Sequence, residues 1–111
     1  MSEFKQDTEF TPVLFRAERS GPFKGVVDAV FPTLPADLDK YTMTCYAHIG
    51  QHSGCSLEWY HTTRKATPAE YADLKAELES APYGYRLKVY QRMTRDLRDQ
   101  FNAEMRRLRM T

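Results

Sequence analysis

Residues 41–63 read YTMTCYAHIGQHSGCSLEWYHTT, and this stretch holds both cysteines and all three histidines of the 111-residue chain. Its first half alternates. Tyr41, Met43, Cys45, Ala47 and Ile49 take one face, and Thr42, Thr44, Tyr46 and His48 take the other. Such period-two alternation marks a strand with one face inward. A tip from Gly50 to Gly54 would lead into a return strand over residues 55–63, with Leu57 and Trp59 inward, so the stretch reads as a hairpin.

The rival reading is a metal or catalytic site. Cys45-x2-His48-x3-His52-x2-Cys55 offers four ligand types that zinc accepts. On one strand, however, Cys45 and His48 are an odd number of residues apart and face opposite ways. Closing the hairpin around His52 sets Ile49 opposite Cys55 and Trp59 opposite Cys45. The cysteines then lie several rungs apart, beyond the roughly 7 Å Cα reach of a disulfide. A Cys–His nucleophilic pair would also need an orienting third group, and the tip contains no Asp, Glu or Asn. The expectation is therefore no metal, no cofactor and no catalytic residue. Cys45 belongs to the core, His48 to the sheet surface and His52 to the loop tip.

Working outward, residues 11–19 alternate with Val13, Phe15 and Ala17 on one side, and Ser20-Gly21-Pro22 turns the chain. Residues 25–31 return, while Pro32 and Pro35 are expected to end pairing and open the longest loop. Thr67-Pro68-Ala69-Glu70 announces a helix through a capping box with proline at the first helical position. Tyr71, Leu74 and Leu78 form its inward stripe. Residues 85–91 make a fifth strand, and residues 94–110 a second helix on the stripe Leu97, Phe101, Met105 and Leu108. The order ββββ-α-β-α predicts an α+β fold: an antiparallel sheet of about five strands with two helices packed on one face. Residues 1–10 read as a flexible tail and residues 11–111 as a single domain.

The segments TCYAHIGQHSGCSLEWY and ATPAEYADLKAELE together resemble a motif pair of short uncharacterised proteins of phages and mobile elements, over residues 13–91. What the resemblance implies is context. Small proteins of such elements often inhibit a host defence component, anti-CRISPR proteins among them. The arginine-rich segment after Tyr90 departs from that pattern.

Two surfaces are candidates for binding. If Met43, Cys45, Leu57 and Trp59 face the core, Tyr46, His48, Glu58 and Tyr60 share an uncovered sheet face, and tyrosines there suit protein recognition. The second surface is the last helix, where Arg95, Arg98, Arg106 and Arg109 follow one flank. Residues 1–85 carry 8 Lys/Arg against 12 Asp/Glu, and residues 86–111 carry 8 against 3, so positive charge is local to that helix. Glu70, Asp73 and Glu77 on the first helix are its expected neighbours, because both helices would lie on the same face. The reading is a non-enzymatic binding protein, an inhibitor or adaptor with a protein partner in the cytoplasm. Nucleic acid held by the arginine strip is the alternative, and a Cys/His enzyme or metal site is the second. No apolar run is long enough for a membrane span, the first ten residues lack the apolar core of a secretory signal, and self-association is left open.

Overall fold

The computed structural model describes residues 10–47 and 52–109. Strands β1 (Thr11–Glu18), β2 (Val27–Pro35), β3 (Thr42–Tyr46) and β4 (His52–Ser56) come first. A single helical turn α1 (Leu57–Tyr60), a short strand β5 (Thr63–Lys65), helix α2 (Pro68–Glu79), strand β6 (Leu87–Tyr90) and helix α3 (Arg95–Arg109) follow. The fold is α+β, as expected. The sheet order is β4-β3-β2-β1-β5, and β6 also pairs with β1.

β1 organises the sheet. One edge pairs with β2 along Leu14–Ala17. The other edge is divided: residues 16–18 take β5 antiparallel, and residues 11–14 take β6 parallel. The sheet is therefore antiparallel except at this last pair.

Alternation along β1 and β2 feeds two cores, one on each face. Val13, Phe15, Ala17, Ala29, Phe31 and Tyr46 pack with Leu74 and Leu78 of α2. Leu14, Val30, Met43, Cys45 and Cys55 pack with Phe101 and Met105 of α3. The two long helices thus cover opposite faces rather than sharing one. The sequence shows why: Leu14 and Val30 are as apolar as their neighbours, so both sides of the central strands must be buried.

Three local expectations are corrected. Strand β2 runs on through Pro32 to Pro35, because the pairing with β3 breaks register between Phe31 and Pro35, and a bulge is where a strand tolerates proline. The return strand after Cys55 stops at Ser56. The Ser56 hydroxyl accepts the Trp59 N–H at 3.0 Å, which caps α1 and turns the chain into a helix. The hairpin also closes earlier than expected. His52 begins β4 opposite Tyr46, where the pairing ends, and residues 48–51, including His48, lie outside the described residues.

Helix α2 starts as its sequence dictates. The Glu70 N–H donates to Thr67 Oγ1 at 3.2 Å, and the Thr67 N–H donates to Glu70 Oε1 at 2.9 Å. Tyr71 stacks on Phe15, ring centroids 4.2 Å apart.

Candidate functional site

The expected tyrosine face does not exist as a surface. Tyr46 is fully buried beneath α2, its hydroxyl donating to Glu77 and to Tyr83, the latter at 3.2 Å. These acceptors raise the Tyr46 pKa and keep the phenol neutral. Tyr60 is buried on the opposite side. Its hydroxyl accepts the Met93 N–H at 3.0 Å, and the Arg16 guanidinium lies over its ring at 4.4 Å. Glu58 is exposed on α1, in a helix rather than a strand. One helical turn separates the residues that alternation would have aligned, so Tyr46, Glu58 and Tyr60 do not converge. His52 is half-buried, its Nε2 3.0 Å from the Tyr85 hydroxyl.

The acidic and basic helices do not meet either, since the sheet lies between them. Glu70 pairs instead with Arg64 at 2.7 Å, which holds the Glu70 carboxyl down at about 2. On the other face, two of the four expected arginines tie α3 to the loop between β2 and β3. Arg98 Nη2 donates to the Lys40 carbonyl at 2.9 Å, and Arg109 Nη2 donates to the Leu38 carbonyl at 3.0 Å. Burial lowers the Arg98 pKa, and its Nη1 is buried without a hydrogen-bond partner. Arg106 lines the same place and is exposed. Arg95 is exposed at the start of α3, outside this group.

Together these residues border an open depression of about 360 Å³ lined by Lys40, Tyr41, Arg98, Asn102, Arg106 and Arg109. The loop contributes as much as the helix. Asp37 and Asp39 fold it on themselves by accepting the N–H groups of Asp39 and Tyr41, both at 2.8 Å. That fold presents Leu38 and Tyr41, 58% and 51% exposed, beside the cations. Lys40 and Tyr41 are missed by a reading of the helix alone. The Asp-x-Asp spacing of residues 37–39 is the signal that a self-bonded turn projects them.

A second group sits where β2, β3 and β4 meet α1. In the observed register Cys45 stands opposite Ser53, and Met43 opposite Cys55, so the cysteines are diagonal neighbours on one face rather than several rungs apart. Both are reduced. The neighbouring Cys55 thiol lowers the Cys45 pKa to about 7 against the opposing effect of burial, while Cys55 is pushed up by Cys45 and by burial. Cys45 Sγ also lies 3.4 Å from Ser53 Oγ. Asp28 borders the group and is raised to about 6 by burial and then by Glu18. Trp59, expected to fill the core opposite Cys45, is half-buried here, and its Nε1 donates to Glu18 at 3.0 Å.

Comparison with protein-family models, with curated proteins and with solved structures finds no match to this chain. Among the described residues no helix is long and apolar enough to cross a membrane, and no three His, Cys, Asp or Glu side chains are placed to hold a metal together.

Proposed function

We propose that this chain is a small, non-enzymatic binding protein, an inhibitor or adaptor that works in the cytoplasm and grips an acidic segment of a protein partner between α3 and the β2–β3 loop. The observation that carries this reading is the composition of that depression: Lys40, Arg98, Arg106 and Arg109 around it, with exposed Leu38 and Tyr41 beside them. Arginine forks suit carboxylates. Arginine and tyrosine are enriched in protein-binding hot spots, and exposed Tyr41 stands beside the arginines here. The phage or mobile-element context, with a host defence component as partner, follows from the motif resemblance of residues 13–91 and from nothing in the geometry.

The test compares wild-type protein with Lys40→Glu/Arg106→Glu and with Leu38→Ser/Tyr41→Ser in affinity capture from the native host. The expected result is one host protein retained by the wild type and lost by both variants. If only the charge reversal matters, and the wild type instead holds nucleic acid with a steep dependence on salt, the nucleic-acid reading replaces this one. Retention by both variants would place the working surface elsewhere.

A further inference from the structure

The thiol pair is independent of the basic groove and carries its own chemistry. Cys45 and Cys55 lie diagonally across β3 and β4, on one face of the sheet, and both line an open depression of about 380 Å³ bordered by Asp28, Ser53 and Trp59. The cysteines are 8% and 9% exposed, and Ser53 and Gly54 beside them are open to solvent. We propose that Cys45 and Cys55 form a two-sulfur site for one soft, monovalent metal ion, Cu(I) being the species that fits.

Three features select that class of ligand. The donors are sulfur, which favours soft ions over oxygen-seeking ones. There are only two of them, and among the described residues no third His, Cys, Asp or Glu joins them. Structural zinc closes a four-ligand tetrahedron, whereas Cu(I) is satisfied by two thiolates in a near-linear arrangement. The third feature is spacing. Diagonal neighbours on adjacent antiparallel strands have Cα atoms roughly 7–8 Å apart, at or past the roughly 7 Å limit for a disulfide. An ion inserted between the sulfurs can join them where a direct S–S bond would require the strands to shift. Asp28 adds negative charge at the rim.

Binding involves no oxidation or reduction. Each thiol releases its proton to solvent and donates a sulfur lone pair to the ion, which arrives as Cu(I) and leaves its carrier ligand behind.

The experiment is an anaerobic titration of the reduced chain with Cu(I) buffered by a chromogenic chelator. Wild-type protein is expected to withdraw one Cu(I) per chain. Cys45→Ser and Cys55→Ser should each weaken binding by about 100-fold or more, since the second sulfur acts at high effective concentration, while His61→Ala, at an exposed position outside the depression, should bind as wild type does. A single-cysteine variant that competes as well as wild type overturns the proposal, and so does a wild-type chain that takes no copper from the chelator. Because either serine variant could fail to fold, a second measurement uses the wild type alone. One equivalent of Cu(I) should protect both cysteines from iodoacetamide together. Alkylation of either one under that condition overturns the site, and a full equivalent of Zn(II) giving the same protection overturns the choice of ion.

Discussion

Two carboxyl groups respond to pH in opposite senses. Asp28, raised to about 6 from an ordinary 3.8, binds its proton more tightly in the folded chain than in the unfolded one. Its stabilising contribution is complete below the ordinary value and is lost as pH rises through about 6. Glu70, held at about 2 by Arg64 and the Thr67 N–H, contributes above its ordinary 4.5 and loses that contribution as pH falls through about 2. Asp28→Asn is therefore expected to raise the melting temperature at neutral pH, with the gain shrinking toward zero near pH 4, where the wild-type carboxyl is itself protonated. Melting curves at the two pH values check this, and an equal gain at both would remove Asp28 as the cause. Thr67→Ala should cost about 1 kcal/mol, read as a shift in the denaturation midpoint, because it removes one half of a reciprocal cap. That cap was fully legible in Thr67-Pro68-Ala69-Glu70, since both partners lie within four residues. The burial of Tyr46 was not. It depends on Glu77 and Tyr83, 31 and 37 residues away, and no local pattern reports such partners.

At the level of elements, legibility followed the same rule. Periodicity located β1, β3, α2 and α3, because their apolar spacing is internal to each segment. It failed after Cys55, where one hydroxyl decides the matter. Ser56 caps α1, and the alternation of Leu57, Trp59 and His61 continues as if nothing had changed. Ser56→Ala should loosen that turn and cost about 0.5–2 kcal/mol. Pro32 misled in the other direction, since a proline at a bulge and a proline ending a strand look alike in sequence. Helix α3 is anchored by Leu97, Phe101 and Met105, with Phe101 fully buried. Phe101→Ala is expected to destabilise by about 3–5 kcal/mol in chemical denaturation, and half-buried Trp59→Ala by less. Arg98 serves a different purpose, tying α3 to the β2–β3 loop through the Lys40 carbonyl. Arg98→Met should leave the helix in place but speed amide exchange across residues 36–41, and unchanged exchange there would show that the loop holds itself.

For the molecule as a whole, a sheet buried on both faces leaves loops, helix exteriors and sheet edges as the places where a partner can dock. The sequence pointed to an uncovered sheet face because it assigned both long helices to one side. The assignment of a helix to a face depends on chain direction through the β5–α2–β6 crossover, which hydrophobic periodicity does not encode. What the sequence did disclose was the arginine flank of α3, although its neighbours proved to be Leu38, Lys40 and Tyr41 instead of an acidic helix. Slowest amide exchange is expected along β1 and β2, which lie inside the sheet with a helix over each face, and faster exchange in β4 at the edge. The division of β1's outer edge has a consequence for biosynthesis. Strand β1 is made before both β6 and α3, so its first four residues wait for β6, and the face bearing Leu14, Val30 and Met43 waits for α3. A chain cut before residue 95 would leave the face bearing Leu14, Val30 and Met43 uncovered, so such a truncation is expected to bind hydrophobic dyes and aggregate where the chain carrying α3 does not.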